Sequence, residues 1–473
     1  MIRLGVLSDE ERKVILDASF QVLENTGVQV DHPEVFRLLC EAGCGCDEEK
    51  RRIFFPRAVV KEKLVLCPSS MTLWDRKGNS MPVEPGGNSY LYSADALNIT
   101  DGRQTRPIEE RDFVQFCRVV EALPYIQGLI STNIGEVPPY AKDFVAFRIM
   151  LENTTKHIRP VIYSPQGAEI IAEMANVVTQ SMGHDLRSHP ILTVGHTISS
   201  PLRWLEKGLE SFRRTTGYGI PVQITSQCIA GATSPVTLAG TLVLAHAQAL
   251  SGVVINQVLE PGRPCLYSIG FSHVMDMKTG EPTTGAPENG LLGAAGAELA
   301  KDLNLPSAAW TCSDSACVDS QSAFERSLVL LLMVLGGTNI IWGAGNLEST
   351  KAISLEQAVI DNEIMAGILR AQRGVDVSEN TLAVKHIDEM GSYAGYLPSD
   401  FTLKHFRKEI ATFKLLNRHK RSAWEARGSK SLEEVGRDEV AKILQAPAAE
   451  CIDPGIAEKV RGIEKKWLQK LGG

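Results

Sequence analysis

The feature that most constrains the fold of this chain is a strand-like run followed by a helical segment, repeated eight times between residues 88 and 374. The strand-like runs, rich in β-branched and aromatic residues, lie at 88–93, 125–132, 158–164, 191–196, 221–226, 264–270, 306–311 and 338–342. Segments with helical periodicity follow them at 109–122, 141–155, 167–180, 203–216, 237–257, 288–303, 319–336 and 354–373. Eight parallel crossovers in succession favour a closed barrel over a doubly wound sheet. The sequence therefore predicts an α/β chain built on a (β/α)8 TIM barrel.

The regions on either side of the repeats lack this rhythm and predict two additions to a barrel of residues 88–374. Residues 1–87 combine helical periodicity with short β-like runs and predict an N-terminal cap. Residues 375–473 predict a C-terminal helical extension. No G-x-G-x-x-G motif follows an early strand, so a dinucleotide-binding fold is disfavoured.

Bulk properties disfavour several functional classes. A formal net charge of −7 argues against general affinity for nucleic acid. Residues 1–11 contain no apolar segment typical of a signal peptide. The most apolar stretch, 238–258, is interrupted by His246, Gln248, Asn256 and Gln257, which favours a buried helix over a membrane span. We therefore expect a cytoplasmic protein whose ten cysteines are reduced thiols.

The active site of a barrel enzyme lies at the C-terminal ends of its strands, and these ends supply the candidates. They are rich in aromatic residues and amides and poor in lysine and arginine. The predicted substrate-binding residues are Tyr92, Asn133, Tyr163, Gln227, Phe271, Trp310, Asp314 and Trp342. Aromatic faces together with a carboxylate, Asp314 or Glu348, are typical of a site for a small organic cation. Alternatively, some of these aromatic residues pack the barrel interior and do not contact a substrate.

Two histidines at predicted strand ends, His196 and His273, indicate acid–base chemistry or hydrogen bonding to a substrate carboxylate. With Glu348 they form the predicted catalytic set. A barrel lyase or isomerase that uses one of these histidines as its base therefore remains an alternative.

The cysteines raise a second alternative, a zinc-dependent methyltransferase in which Zn²⁺ activates a thiol acceptor. The relevant thiols are Cys228, Cys312 and Cys317, but their spacing fits a zinc site poorly. The same holds for the N-terminal cluster of Cys40, Cys44 and Cys46. We predict no bound metal.

Two surfaces predict contacts with other proteins. Residues 401–430 carry nine Lys or Arg against two Glu, which indicates either a solvated helical face or a docking surface for an acidic partner or a neighbouring subunit. Residues 237–257 are apolar nearly all round, so one side of this helix should face the barrel and the other a second subunit. We therefore expect a homo-oligomer.

Two regions of the sequence carry distinctive runs of residues. Residues 397–409 read LPSDFTLKHFRKE and are followed by LLNR at 415–418 and WE at 424–425. The run WGAG at 342–345 precedes VIDNE at 359–363. Both regions resemble the trimethylamine methyltransferase family, and the similarity extends from the N-terminal helix to the tail. Members of this family are (β/α)8 barrels that move a methyl group from a methylamine to the Co(I) corrinoid (cobalamin) of a partner protein.

The resemblance implies a specific branch and a specific reaction. The trimethylamine enzymes use pyrrolysine, whereas this chain contains only standard residues. It therefore resembles the non-pyrrolysine branch, which includes glycine betaine methyltransferases and serves one-carbon metabolism of the methanogenic or acetogenic type. The implied substrate is a small quaternary amine such as glycine betaine, and the implied partner is a cognate corrinoid protein. Ser313, Gly343 and Gly345 are the residues predicted to face the corrinoid.

Overall fold

The computed structural model describes residues 1–101, 104–392 and 395–472, and its centre is a sheet of eight parallel strands. The strands β1 to β8 are Tyr90–Ser93, Ile126–Ile130, His157–Arg159, Val194–Ile198, Val222–Ser226, Cys265–Gly270, Ser307–Trp310 and Ile340–Ala344. They pair in the order β3-β2-β1-β8-β7-β6-β5-β4. A parallel bridge between Ile158 and Leu192 joins the two edges, so the sheet is a nearly closed barrel. The predicted α/β chain with eight parallel barrel strands is confirmed.

A helix follows each strand and covers the outside of the sheet. The helices α1 to α8 are Glu110–Ala122, Lys142–Asn153, Pro165–Ser181, Glu206–Arg214, Leu238–Leu259, Pro287–Asp302, Ser320–Gly336 and Leu355–Arg373. The outward side chains of the strands and the inner faces of the helices form the main hydrophobic core. Both faces of the strands are therefore buried, as expected for a parallel sheet.

An antiparallel hairpin of Met71–Trp74 and Ser80–Val83 closes the N-terminal end of the barrel. Its Leu73 and Val83 are fully buried and belong to one cluster with inward side chains of the barrel strands, including Leu266 and Ile340. This second, smaller core fills the bottom of the barrel. The lumen above it is left to polar and aromatic side chains.

The apolar helix α5 is covered on its outer side by the chain's own N-terminal helices, Asp9–Gln21, Pro33–Glu41 and Arg57–Val65. Ser19 Oγ, for example, donates a hydrogen bond of 3.1 Å to the carbonyl of Val243. By length and apolarity α5 could span a membrane, but 78% of its most apolar window is buried within the protein. The expectation that its outer face meets a second subunit is wrong, because the N-terminal helices occupy that face. A homo-oligomer stays a prediction without this support.

The small strands Val28–Val30, Gly45–Asp47 and Arg52–Phe54 form a sheet with Arg203–Trp204, close to the N-terminal helices. A disulfide joins Cys40 to Cys46, with Cα atoms 6.0 Å apart. The expectation that all ten cysteines are reduced is wrong for this pair, because the turn after Pro33–Glu41 brings the two thiols together. The other eight cysteines are free.

Two further small sheets form from loops that follow the barrel strands. Ile229–Ala230, His273–Met275 and Pro282–Thr283 link the loops after β5 and β6. Asn98–Thr100, Thr105–Pro107, Asn346–Leu347 and Ala352–Ile353 link the loops after β1 and β8. Both sheets lie on the side of the barrel where the C-terminal strand ends are found.

The C-terminal helices pack around the barrel helices. Leu432–Gln445 packs on α8 and α1, and Pro454–Gly472 packs on α3 and α2, with Glu464 paired to Arg148 at 2.8 Å. The short helices between α8 and these two are Glu379–Leu382, Val384–Met390, Asp400–Glu409 and Arg421–Ala426. Four of the nine cations in 401–430 pair with carboxylates of this chain, namely Lys408, Lys414, Arg421 and Lys430. The division into 1–87, 88–374 and 375–473 stays a prediction.

Candidate active site

The alternation of side chains along the barrel strands decides which residues face the lumen. In β5, Ile224 points outward, towards Gly252 of α5, so Gln223 and Thr225 point inward. They are paired in register with Gly195 and Thr197 of β4, which face the lumen as well. One side of the lumen is therefore lined by small and polar side chains.

The other side of the lumen is aromatic. Tyr92, Trp310 and Trp342 are buried and belong to the small inner core. The rings of Trp310 and Trp342 are nearly perpendicular, with centroids 5.5 Å apart, and Phe271 meets Trp310 edge-on at 4.8 Å. The structure brings these four predicted residues to one lumen. Trp310, Trp342 and Phe271 pack on one another, so the lumen aromatics also fill the interior.

Arg159, at the end of β3, is the cation of the lumen. Its guanidinium carbon lies 4.0 Å from the centre of the Trp342 ring. Gly195 makes room for it, since an ideal Cβ at that position would lie 2.1 Å from Arg159 Nη2. The prediction that the strand ends are poor in arginine is wrong for β3. The predicted strand ran to residue 164, whereas the observed strand ends at Arg159, which places this side chain at a strand end.

Arg159 has few interactions with the protein. Its Nε is buried without a hydrogen-bond partner, and its guanidinium takes part in none of the ion pairs or side-chain hydrogen bonds among the described residues. Burial lowers the pKa of Arg159 to about 10, and the nearby Asp95 opposes that shift. The side chain is therefore a positive charge at neutral pH.

Asp95 lies near this cation, and Tyr163 lies near Asp95. Burial raises the pKa of Asp95, and Arg159 opposes the rise. Burial, then the charges of Asp95 and Asp143, raise the pKa of Tyr163, which keeps its phenol protonated. The lumen thus contains a carboxylate and a guanidinium within electrostatic reach of each other and beside aromatic rings.

Several buried polar atoms of the lumen have no hydrogen-bond partner. Buried polar groups are nearly always paired, so a cluster of unpaired ones indicates a place for a ligand or water. The atoms are Tyr92 Oη, Thr132 Oγ1, His157 Nε2, Arg159 Nε, Gln223 Nε2 and Oε1, Thr225 Oγ1, Ser268 Oγ, Trp310 Nε1 and Trp342 Nε1.

The two predicted catalytic histidines do not lie together in the lumen. His196 is in the middle of β4, not at its end, and its ring stacks on Phe212 of α4 at 4.3 Å. Strand alternation therefore directs it towards the helices. His273 lies in the loop sheet beside Phe271, and burial lowers its pKa to about 4. The histidine that does face the lumen is His157, whose pKa burial also lowers to about 4.

The predicted acidic residues hold loops together. Asp314 accepts hydrogen bonds from the backbone and hydroxyl of Thr284, from the backbone of Gly285 and from Ser349. Glu348 accepts a hydrogen bond from Thr105 Oγ1 at 3.0 Å. Both carboxylates therefore have protein partners, and Asp95 is the acidic residue beside Arg159.

The residues predicted to face a corrinoid have structural contacts as well. Ser313 Oγ donates a hydrogen bond of 2.7 Å to Glu325 Oε2. Gly343 has a φ of +122°, and an ideal Cβ there would lie 1.7 Å from the carbonyl oxygen of Thr311. Gly345 has a φ of +86°, and its backbone N–H donates a hydrogen bond of 2.7 Å to Asp361. Each glycine is thus required by the path of the chain after β8.

The predicted amides lie near the C-terminal ends of the strands. Asn133 accepts a hydrogen bond from Lys142 Nζ, and Gln227 is exposed just beyond β5. Thr197 near the end of β4 is exposed too. These two exposed residues border the open end of the lumen.

The cysteines of the zinc alternative are not brought together. Cys228 contacts Ser200 and Gln248, whereas Cys312 donates to Asn346. Among the residues that the structure describes, no group of three or more His, Cys, Asp or Glu is arranged to hold a metal ion. The zinc alternative therefore has no ligand set in this part of the chain.

The comparisons with known proteins agree with the barrel fold. The profile of the trimethylamine methyltransferase (MTTB) family matches residues 1–469. The chain belongs to this family. It is 31% identical to the trimethylamine methyltransferase MttB of Methanosarcina thermophila, over 97% of each chain. It is 26% identical to a glycine betaine methyltransferase of Desulfitobacterium hafniense, over 99% of this chain and 98% of the relative.

A solved structure supports the fold of this family member. The monomethylamine methyltransferase MtmB of Methanosarcina barkeri superposes with a TM-score of 0.52 over 98% of this chain and 92% of its own. The sequence identity is 12%, so the similarity concerns the fold alone.

Proposed function

We propose that this family member transfers a methyl group from a small quaternary amine, glycine betaine or a related betaine, to the Co(I) corrinoid of a cytoplasmic partner protein. The observation that carries the proposal is the lumen itself, in which aromatic rings and unpartnered polar atoms surround a guanidinium. Such a lumen suits a small zwitterion better than a neutral amine. The glycine betaine methyltransferase among the relatives supports the same substrate class.

The proposed reaction requires little acid–base catalysis from this chain. The Co(I) of the co-substrate donates an electron pair to the methyl carbon while the C–N bond breaks. The electron pair of that bond stays on nitrogen, and the product is a tertiary amine whose nitrogen is uncharged. Because positive charge disappears from nitrogen, a strong ion pair at that atom would stabilise the ground state more than the transition state. The lumen residues orient the amine and exclude water, which are the contributions that this displacement needs.

The corrinoid is a co-substrate carried by the partner, so this chain has to offer an open mouth rather than a tight binding pocket. The exposed Thr197 and Gln227 at the C-terminal ends of β4 and β5 suit such a mouth. The basic segment 401–430, which connects α8 to Leu432–Gln445 along the chain, is a candidate for the docking of that partner.

Methyl transfer should show no histidine ionisation between pH 6 and 8. Burial holds the pKa of both His157 and His273 at about 4, so both rings are neutral throughout this range. A quaternary ammonium carries no proton, so the substrate adds no ionisation of its own. Single-turnover rates measured across this range should be flat. A limb of unit slope with a midpoint near the ordinary histidine pKa of about 6.5 would instead support the lyase or isomerase alternative.

The decisive experiment follows the visible spectrum of a corrinoid protein reduced to Co(I). Glycine betaine, proline betaine, carnitine and trimethylamine are added separately in the presence of this protein. We expect conversion to the methyl-Co(III) spectrum with one of the betaines and none without the protein. Trimethylamine is the comparison suggested by the MttB relatives. A flat spectrum with every betaine, using a corrinoid protein shown to be competent with another methyltransferase, would refute the proposal.

A further inference from the structure

Arg159 is the group of the lumen whose bonding is least explained by the protein itself. It is largely buried, it carries a charge at neutral pH, and its Nε has no hydrogen-bond partner. A buried guanidinium normally has its donors satisfied by carboxylates or carbonyls, because an unpaired buried charge is costly. A ligand that supplies the missing acceptors would remove that cost.

The surroundings hold the guanidinium in one place. Trp342 supports one face of it at 4.0 Å, and the missing Cβ of Gly195 leaves the space that Nη2 occupies. A planar fork fixed in this way presents parallel N–H groups, the geometry that a carboxylate accepts with both oxygens. The neighbouring unpartnered donors, Gln223 Nε2 and Thr225 Oγ1, extend the same polar wall.

We infer that Arg159 anchors the substrate through a carboxylate and thereby restricts this enzyme to zwitterionic amines. The inference deepens the proposed function, on which it rests for the nature of the substrate. Asp95 lies within electrostatic reach of Arg159, so the lumen offers one negative and one positive group to the two ends of a zwitterion. A cation without a carboxylate, such as choline or protonated trimethylamine, leaves the guanidinium of Arg159 without hydrogen-bond acceptors and adds a second positive charge to the lumen.

The test compares two probes of nearly equal size, glycine betaine and its amide, in which an uncharged carboxamide replaces the carboxylate. Binding to this protein alone is measured by calorimetry, without any corrinoid protein. The wild type should bind the betaine about 30-fold or more tightly than the amide, the range for losing one partner of a desolvated charge pair. Proline betaine with its amide serves as a second matched pair.

Arg159→Gln should abolish this preference and bind betaine and amide with similar affinity, while its circular dichroism spectrum and melting temperature confirm that it folds. Gly195→Ala should weaken the preference without removing any charge, because its Cβ displaces Nη2. Lys142→Gln, which removes another cation near the open end of the lumen, should leave the preference intact.

Three outcomes would overturn the inference. They are equal binding of betaine and amide by the wild type, an undiminished preference in Arg159→Gln, and no binding of either carboxylated probe. Failure of the proposed function would be a separate result. A flat cobalt spectrum together with an Arg159-dependent preference for betaine would refute methyl transfer, whereas the role of Arg159 as carboxylate anchor would stand. Methyl transfer from betaine by Arg159→Gln at an unchanged KM would support the proposed function and refute the role of Arg159 as anchor.

Discussion

Replacing Arg326 with methionine should lower the free energy of unfolding by about 3–5 kcal/mol, the range for removing one partner of a buried ion pair. Arg326 and Asp361 are both fully buried, with Nε 3.3 Å from Oδ1. The guanidinium also donates to the carbonyls of Thr311 at 2.8 Å and of Asn346. Its loss would leave Asp361 as an uncompensated charge and release two loops next to the lumen. Denaturant unfolding of the purified variant measures the change.

Two matched variants make this prediction specific. Arg326→Met combined with Asp361→Leu should recover much of the loss, because neither buried charge remains. Arg37→Met breaks the exposed pair with Glu41 and should change the stability by less than about 1 kcal/mol. A loss below about 1 kcal/mol in Arg326→Met alone would show that the pair does not hold the loops after β7 and β8.

Gly343→Ala should have a larger effect and is expected to reduce the yield of folded protein sharply. An ideal Cβ would lie 1.7 Å from the carbonyl oxygen of Thr311, which follows β7 directly and accepts a hydrogen bond from Arg326, and the φ of +122° is itself strained for alanine. We expect a loss of more than about 4 kcal/mol, among the exceptional values for a single substitution. Soluble yield and melting temperature are the measurements.

The control for this substitution is Gly462→Ala. Gly462 lies on the exposed surface of the helix Pro454–Gly472, and an added Cβ would have no atom within 4 Å. Alanine at such a position should raise the stability by about 0.5–1 kcal/mol, because it restricts the unfolded chain and favours the helix. If Gly343→Ala were as well tolerated as Gly462→Ala, the path of the chain after β8 would be different from the one described.

The sequence predicted the barrel because its signals are local and repeated. Each buried strand is a short apolar run, and each helix has its own periodicity, so errors of a few residues at the ends did not alter the number or order of units. The covering of α5 was not predictable in the same way. An apolar surface shows that a helix is buried, but it does not show whether the same chain or a second copy buries it, and here the first 65 residues do so.

The site was predicted less well because it depends on single-residue register. Extending the third strand to residue 164 hid Arg159, and ending the fourth strand at residue 196 placed His196 at the mouth, although it faces α4. A signal for the polar wall was present: β5 reads Val-Gln-Ile-Thr-Ser, an alternation that is unusual in a parallel strand buried on both faces. The electrostatic relation of Asp95 to Arg159 is a property of tertiary structure and has no sequence signal.

The hairpin at the bottom of the barrel has a kinetic consequence. Leu73 and Val83 seal the lower end, so in the described part of the chain the lumen communicates with solvent through its upper end. In the proposed reaction, the amine, its demethylated product and the docking corrinoid protein would all have to use this upper end. The amine would then bind before the corrinoid protein docks, and the demethylated amine would leave only after that protein dissociates. Steady-state kinetics should therefore show a compulsory order, with the corrinoid protein at high concentration trapping the product and inhibiting its release.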